Sequence, residues 1–316
     1  MQWEFRPYRR PFRQPINTHH GEWRDRTGII LRLTTDLGQV GYGEVAPLPW
    51  FGSETLEQAL EFCQQLPLHL TADLIHAIPA TLPACQFGFE SAWNTVEAGD
   101  CPLSYPLTFS GLLPAGQAAL TAWKPLWQQG YRTFKWKISV GDLQDELQLL
   151  TQLVALLPPD CRLRLDANGG LTYNQAQCWL DQCDTSQIEF LEQPLSPAQL
   201  ALMQELAANS VTPIALDESI ATLAHLQACH HDGWRGIYVI KPAIVGSPAQ
   251  LRQFCQQHAI DAVFSSVFET AIGRQAGLQL AAELGNRDRA MGYGITHWFN
   301  HADLEADLLW QTLSPI

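Results

Sequence analysis

The sequence predicts an α/β fold in which a (β/α) barrel follows an N-terminal α+β domain. From about residue 106 onwards, short apolar segments of strand length alternate with helical stretches, and this alternation is typical of a parallel sheet. The polar residues that end successive segments are 24 to 29 residues apart, which is the length of one βα unit. About eight such units close most simply into a barrel.

The predicted strands follow one another along the second part of the chain. An open, doubly wound sheet is the alternative arrangement for them. No Gly-x-Gly-x-x-Gly follows any strand, and polar residues end every strand instead of clustering at one crevice, so the barrel is favoured. Seven strands and a weaker eighth are expected at 107–112, 133–139, 162–168, 188–194, 213–219, 236–242, 261–267 and 291–295.

The first part of the chain has a different pattern, which predicts an α+β domain. The run 28–33 is typical of an antiparallel strand, 38–44 of a turn and a strand, and 54–65 of an amphipathic helix. The end of the chain is too short for a further βα unit, and we expect it to pack back on the first domain. The expected division is an α+β domain at 1–105, a barrel at 106–295 and a C-terminal segment at 296–316.

Composition and charge limit the classes of function. The chain has 316 residues, of which 46% are hydrophobic, so it can bury a large core. Its net charge of −13 disfavours nucleic acid and anionic membranes as partners, because both require a basic surface. No apolar run approaches the roughly 20 residues of a membrane span. The chain start lacks the apolar core of a signal peptide and no Cys-x-x-Cys occurs, so we expect a cytoplasmic protein, for which a monomer is compatible with the sequence.

Three of the four lysines lie in predicted strands. Lys135, Lys137 and Lys241 each stand in a short apolar run. Lys135 and Lys137 are two residues apart, so their side chains point to the same face of one strand. Burial and a neighbouring like charge lower the pKa of a lysine towards the range in which it acts as a general base, whereas arginine cannot reach that range. An ion pair with nearby acids is the alternative role for Lys135 and Lys137.

Three acids occupy equivalent places at the ends of consecutive strands. Asp166, Glu192 and Asp217 would converge at the mouth of the barrel, because parallel strands direct their carboxyl ends to one side. Unpaired carboxylates repel one another, and a hard divalent cation with oxygen ligands removes that repulsion. A single Asp after a strand is often a helix N-cap, but three acids in register favour a site for Mg²⁺, with Mn²⁺ as the alternative ion. A cation between two amines suits proton abstraction next to a carboxylate.

The order of motifs along the strands resembles the muconate-lactonizing subgroup of the enolase superfamily. The motifs are Lys-x-Lys, Asp-x-Asn, Glu-Gln-Pro, Asp-Glu-Ser and Ile-Lys-Pro, and the segment 41–49 is similar to the capping domain of that family. The resemblance covers nearly the whole chain and implies an enolase-like, modified TIM barrel. It makes Asn168 and Glu218 residues that orient lysines or ligands, although ordinary polar groups at strand ends remain the alternative. The Mg²⁺ ligands that it implies are Asp166, Glu192 and Asp217.

The seventh strand is similar to one family in this subgroup, the o-succinylbenzoate synthases. Its end follows their Ser-Ser-x-x-Glu-Ser-x-x-Gly pattern, with Thr270 in place of the second serine. Dipeptide epimerases carry Asp-x-Asp near the following strand, and the last part of this chain has none. Backbone donors around Ser265, Ser266, Ser110 and Gly111 would hold a carboxylate such as a succinyl tail, unless these are ordinary turn residues.

This resemblance implies a dehydration of a small carboxylate substrate, 2-succinyl-6-hydroxy-2,4-cyclohexadiene-1-carboxylate, to o-succinylbenzoate, on the way to menaquinone or phylloquinone. Lys137 would be the acid/base catalyst that removes the proton beside the ring carboxylate and then assists the departure of hydroxide. Lys135 would assist Lys137 electrostatically, and Lys241 would stabilise the enediolate from the other face. Loops at 18–21 and 49–52 would cover the mouth.

Three other functions stay open at this point. An N-acylamino acid racemase, acting on N-succinylamino acids, uses the same metal and both lysines as bases on opposite faces. A muconate cycloisomerase is the third enzyme of this kind. A barrel that binds carboxylates without turning them over is a function of a different class, and the presence of every expected catalytic side chain disfavours it.

Overall fold

The chain begins with a three-stranded antiparallel sheet that packs against helices. The computed structural model describes residues 1–18, 21–99, 103, 105–183, 187–300 and 303–314. The sheet has the order β1-β2-β3. Its strands and the helices after it are β1 (Gln2–Thr18), β2 (Gly21–Thr34), β3 (Val40–Val45), α1 (Leu56–Gln65), α2 (Ala72–His76) and α3 (Pro83–Ala98).

Local sequence explains how these elements begin and how closely they pack. Thr55 caps α1, because its hydroxyl accepts from Gln58 N while the Gln58 side chain accepts from Thr55 N, and this reciprocal pair satisfies two free helix donors. Strand β3 approaches α3 so closely that a Cβ on Gly43 would overlap the carbonyl oxygen of Gly88. Glycine is therefore required at this crossing.

Eight parallel strands form the second part of the molecule, and they confirm the predicted (β/α) barrel. Their order in the sheet is 10-9-8-7-6-5-4-11. The ring is nearly closed, because Ser265 bridges to Gly292 and Ser266 N donates to Gly292 O at 3.1 Å. The strands are β4 (Phe109–Leu113), β5 (Thr133–Lys137), β6 (Arg162–Asp166), β7 (Ile188–Glu192), β8 (Ile214–Leu216), β9 (Ile237–Ile240), β10 (Asp261–Phe264) and β11 (Met291–Gly294).

Helices connect successive barrel strands, as the alternation in the sequence predicts. In the part of the chain that the structure describes, no helix combines the length and the apolar character needed to cross a bilayer. The remaining helices are α4 (Ala119–Gln128), α5 (Leu143–Leu156), α6 (Tyr173–Gln182), α7 (Leu200–Ala208), α8 (Leu223–His231), α9 (Pro242–Val245), α10 (Pro248–Gln257), α11 (Ala271–Leu284) and α12 (Ala306–Thr312).

Strand alternation separates the packed exterior of the barrel from its interior. Trp136 of β5 is fully buried and packs edge-on against Trp179 of α6, with 6.1 Å between ring centroids. Lys135 and Lys137 flank Trp136 in the strand and therefore point the opposite way, into the barrel. The interior below them contains an apolar cluster: Phe190, Ala215, Ile237, Val239 and Val263. Arg164 of β6 is also buried there, with its guanidinium 4.8 Å from the ring centroid of Phe190, and it pairs with Glu189.

A buried carboxylate joins the N-terminal sheet to the barrel. Glu44 of β3 accepts hydrogen bonds from Thr270 N and Oγ1 and from Gly273 N, at the N-terminus of α11, and from Tyr8 OH at 2.5 Å. Four donors on one carboxylate suit its charge and the positive end of a helix. Beside this contact, Trp310 of α12 packs with Tyr8.

We expect Glu44→Gln to destabilise the fold. A glutamine offers one acceptor oxygen in place of two and turns an N–H₂ group towards buried donors, which costs about 1 to 3 kcal/mol for each unsatisfied group. Urea unfolding would measure this loss, with Glu57→Gln as the matched control because Glu57 is exposed in the first turn of α1. Equal stabilities of the two variants would contradict the role of Glu44.

Candidate functional site

A cavity of about 530 Å³ opens at the carboxyl ends of the barrel strands. A larger groove of about 700 Å³ lies outside the barrel between α6 and α7, but its described lining includes no lysine, arginine or histidine. Two of the twelve residues that the sequence singled out do not line the cavity: Glu192 is 1% exposed behind it, and the Cα of Gly111 faces Leu126 of α4. The other ten are Ser110, Lys135, Lys137, Asp166, Asn168, Asp217, Glu218, Lys241, Ser265 and Ser266.

The three acids lie side by side because of the sheet register. Asp166 ends β6 and pairs with Glu192, which ends β7, while Lys137 of β5 pairs with Asp166 on its other side. Asp217 directly follows β8. All three acids are buried, so their charges interact strongly.

Lysines compensate these acids in the structure. Lys135 Nζ lies 2.8 Å from Asp166 Oδ2 and 2.7 Å from Glu192 Oε1, and Lys241 Nζ forms an ion pair with Asp217. Lys137 forms no ion pair or side-chain hydrogen bond with any described residue. Lys137 is therefore the lysine whose amine is free to meet a substrate.

The pKa values reflect this dense arrangement. Burial alone would lower the pKa of Lys135, but Asp166, Glu192 and Asp217 raise it well above its usual value, contrary to the lowering that a like charge alone would produce. Burial is the main cause that raises the pKa of Glu192 well above its usual range; Asp166 and Asp217 add to this rise, while Lys135 and Lys241 oppose it. Lysine contacts instead lower the pKa of Asp166, despite its burial. Burial and repulsion among the acids thus act against the attraction of the lysines in this cluster.

Asn168 and Glu218 leave two acceptor atoms without partners. Asn168 Nδ2 donates to Glu218 Oε1 at 3.0 Å, while Asn168 Oδ1 and Glu218 Oε2 are buried and have no hydrogen-bond partner among the residues that the structure describes. Burial, followed by the charges of Asp217 and Asp166, raises the pKa of Glu218 to about 7. Unsatisfied acceptors beside a cavity are costly unless a bound donor fills them, so this wall is suited to a ligand that carries N–H or O–H groups.

The expected backbone donors at the end of β10 are already in use. Ser265 N donates to Ile240 O at 2.8 Å, and Ser266 N donates across the closure of the barrel. Ser266 Oγ donates to Glu269 Oε2 at 2.9 Å. The hydroxyls of Ser110 and Ser265, each 3.5 Å from a carbonyl oxygen, are therefore the available donors, which corrects the expectation of a backbone cradle there.

The opposite wall comes from aromatic residues, most of which the sequence did not identify. Trp50 and Phe51 stand in the expected loop 49–52, whereas His19 and His20 of the loop 18–21 lie outside the described residues. Phe51 places its ring centroid 3.9 Å from Lys241 Nζ, a cation–π contact. Three further aromatic residues line the cavity, and no motif identified them as site residues: Trp23, Phe268 and Trp298. The apolar residue Ile16 also lines the cavity without belonging to a motif.

A buried acid fixes the loop that carries Phe268. Glu269 Oε2 accepts from Ser266 Oγ and from Val267 N at 2.7 Å, while Glu269 Oε1 has no hydrogen-bond partner in the described part of the chain. Phe268 is held at a φ of 65°, which a non-glycine residue adopts only when its surroundings enforce it. Burial is the main cause that raises the pKa of Glu269 to about 7, and nearby Glu44 adds to it.

Known proteins are similar to this chain over nearly its whole length. Residues 118–310 match the family model described as "Enolase C-terminal domain-like", and residues 3–96 match "MenC, N-terminal domain". An o-succinylbenzoate synthase of Thermosynechococcus vestitus is 44% identical over 94% of each chain. One from Yersinia pseudotuberculosis is 30% identical, covering 88% of this chain and 85% of the relative.

Solved structures agree with these sequence relatives. The o-succinylbenzoate synthase of Thermosynechococcus elongatus BP-1, complexed with Mg in the active site, aligns with a TM-score of 0.92 and 41% identity, covering 99% of this chain and 100% of that one. An L-Ala-D/L-Glu epimerase from Bacillus subtilis aligns with a TM-score of 0.82 at 21% identity, covering 95% of this chain and 91% of that one. This second similarity shows a shared fold alone.

We expect the stability of the metal-free protein to fall as pH rises from about 4.5 to about 7. Folded Glu269, with a pKa of about 7 against an ordinary 4.5, keeps a proton that the unfolded chain has already lost, so folding becomes less favourable across that window by up to about 3 kcal/mol. Glu269→Gln mimics the protonated form and removes this part of the dependence, whereas Glu97→Gln, at an exposed position, keeps it. Unfolding midpoints between pH 4 and pH 8 would reveal the difference, and identical slopes for all three proteins would refute it.

Proposed function

Because this chain belongs to the o-succinylbenzoate synthase family within the enolase superfamily, we propose that it dehydrates 2-succinyl-6-hydroxy-2,4-cyclohexadiene-1-carboxylate to o-succinylbenzoate. The observation that carries this proposal is one cavity in which Lys137, whose amine pairs with no described residue, faces Lys241 beside three buried acids. Strands β5 and β9 are separated by three strands in the ring of eight, so the two amines reach a bound ring from opposite sides.

The donors present fit a divalent cation. Asp166, Glu192 and Asp217 would hold Mg²⁺, or Mn²⁺, through oxygen atoms alone, because the three acids lie side by side at the ends of neighbouring strands. Among the described residues, no group of three or more His, Cys, Asp or Glu side chains is arranged in this structure to hold a metal ion. Lys135 and Lys241 bond to the oxygens of the three acids there. When bound, the cation would supply positive charge that stabilises an enediolate at the substrate carboxylate.

Lys137 has the chemical role of general base and then general acid. Its amine would take the proton from the carbon that bears the ring carboxylate, breaking that C–H bond. The resulting ammonium would then protonate the hydroxyl leaving from the same face, so that the C–O bond breaks and water departs. Loss of one water creates the aromatic ring, and Lys137 returns to the amine.

The other two lysines act through charge. Lys135 stays a cation because the acids raise its pKa, and it holds the oxygens of Asp166 and Glu192 near each other. Lys241 would stabilise negative charge on the ring from the opposite face, held there by Phe51. The hydroxyls of Ser110 and Ser265 are the nearest donors for the succinyl carboxylate.

The capping domain would shield the reaction from water. Trp23 contacts Trp50 at 5.2 Å and Phe268 at 5.5 Å between ring centroids, so the aromatic wall spans both parts of the molecule. Such a wall suits a ring with a flexible tail. We propose the domain limits 1–105 for the capping domain, 106–295 for the catalytic barrel and 296–316 for the C-terminal segment.

The wider setting follows from the same chemistry. The product would be a precursor of menaquinone or phylloquinone, in keeping with the MenC model that the first domain matches. We also propose a cytoplasmic enzyme that acts on a small carboxylate, with neither nucleic acid nor membrane as a partner, because the net charge of −13 repels both.

An N-succinylamino acid racemase is the second candidate, and the opposed positions of Lys137 and Lys241 favour it specifically. A racemase needs a base on each face of one carbon, whereas the dehydration needs a base on one face and a fixed cation on the other. The two activities therefore differ in the role of Lys241, which is a second base in the racemase and a fixed cation in the dehydration.

Lys137→Ala should reduce dehydration by about 10²- to 10⁴-fold, because it removes the general base. The loss of diene absorbance in the ultraviolet with Mg²⁺ would measure the rate, beside EDTA-treated protein, which should be inactive until Mg²⁺ is restored. Lys124→Ala is the matched control, because Lys124 is exposed on α4. Polarimetry on N-succinylamino acids completes the experiment: racemisation without dehydration would reject the synthase, and silence in both assays would leave a carboxylate-binding barrel.

Phe51→Leu should lower kcat by about five- to thirtyfold, because it removes a cation–π contact of about 1 to 2 kcal/mol with Lys241. Phe51→Tyr keeps an aromatic face and should retain most of the rate. Trp50→Leu shows how the loss of an aromatic ring from the same loop affects the rate, because Trp50 contacts Trp23. Equal rates for the Leu and Tyr variants of Phe51 would rule out a role for the ring.

A further inference from the structure

A glutamine between two of the acids ties three strand ends together. Gln193 follows Glu192 and is completely buried. Its backbone N donates to Ala215 O of β8 at 2.8 Å, and its backbone O accepts from Gly169 N, just after β6, at 2.7 Å. These two bonds hold the end of β7 to both neighbouring strands, and Gln193 takes a φ of 37° to make them.

The side chain of Gln193 uses all of its hydrogen-bonding capacity on the next strand end and its own turn. Oε1 accepts from Asp217 N at 3.0 Å and from Ser219 N at 3.1 Å. Nε2 donates to Ser219 Oγ at 2.7 Å and to Leu195 O at 2.8 Å. Two donors and two acceptor positions exhaust what an amide offers, so neither atom is left to bind a ligand.

Asp217 depends on this amide for its position. The pairing of β8 with β9 ends at Leu216, and Asp217 leaves the strand with φ −124° and ψ −76°. Its N–H therefore has Gln193 Oε1 as its partner in place of a strand carbonyl. Because Glu192 is the residue before Gln193, one short segment supplies one acid and fixes the backbone of another.

We propose that Gln193 is a positioning residue for the cation site, which sets the distance between the carboxylates of Glu192 and Asp217 before a cation binds. This inference rests on the proposed function, since it assumes that those acids hold the divalent ion. Partners that orient metal ligands without touching the metal typically contribute 10- to 100-fold to affinity. Gln193 orients Asp217 in this way by accepting a hydrogen bond from the backbone N of Asp217.

The test measures Mg²⁺ affinity in the absence of substrate, by titration calorimetry of the full chain. Gln193→Met keeps the length and packing of the side chain but cannot accept from Asp217 N, and it should raise the Mg²⁺ dissociation constant by about tenfold or more. Gln193→Glu keeps the acceptor oxygen and should bind Mg²⁺ more tightly than Gln193→Met does. Gln86→Met is the matched control, because the side chain of Gln86 is also buried and, among described residues, hydrogen-bonds only to Ile78 O; its affinity should equal that of the wild type.

The outcomes separate this proposal from the proposed function. If Gln193→Met binds Mg²⁺ within twofold of the wild type, or if Gln193→Glu binds as weakly as Gln193→Met, the positioning role is overturned. If the wild type binds Mg²⁺ but does not dehydrate the cyclohexadiene substrate, the activity fails while the positioning role stands. The dehydration rate of Gln193→Met, relative to the wild type, should be higher at saturating Mg²⁺ than at limiting Mg²⁺.

A second variant keeps the test decisive if Gln193→Met does not fold. Ser219→Ala leaves the amide in place but removes the hydroxyl that accepts from Gln193 Nε2. It should raise the Mg²⁺ dissociation constant by about two- to fivefold, a smaller loss because one bond of the network is removed. An unchanged affinity in Ser219→Ala would overturn the proposal.

Discussion

The arrangement of the mouth depends on the repulsion between buried carboxylates. Asp166, Glu192 and Asp217 are each at most 6% exposed, and water cannot screen their charges there. Lys135 and Lys241 therefore bond directly to them. The aromatic wall above the acids keeps water away from them and strengthens this repulsion, so the fold around the acids favours a bound positive charge.

The second constraint is that the site belongs to two parts of the chain. Glu44 bonds to the start of α11, and the loop just before α11 carries Phe268 and the serines at the end of β10. The N-terminal sheet and this loop are consequently fixed relative to each other by one carboxylate. Trp23, on the same sheet, can then contact Phe268 across the boundary. The cavity wall is thus continuous where the domains meet.

The barrel and its charged residues were predictable from sequence because strand geometry repeats locally. Two-residue alternation places Lys135 beside Lys137, and regular βα units bring strand ends into register, as Lys137 and Asp166 are. The aromatic wall was not predictable, because only tertiary packing brings Trp23 and Trp298 to the same cavity, and neither residue belongs to a motif. Gly111 shows that a prediction from motifs fails when it ignores this alternation. Ser110 of β4 lines the cavity, whereas the next residue, Gly111, faces the helix layer.

Charge at the mouth explains why an anionic substrate suits this cavity. Lys135 and Lys241 compensate two of the three acids, and a bound divalent cation would leave one net positive charge, with Lys137 as the neutral amine that a general base requires. The carboxylates of the proposed substrate, one on the ring and one on the succinyl tail, would meet that positive charge. The cation would compete with Lys135 and Lys241 for the oxygens of the acids. Lys137, whose side chain bonds to no described residue, is the amine that needs no rearrangement before it acts.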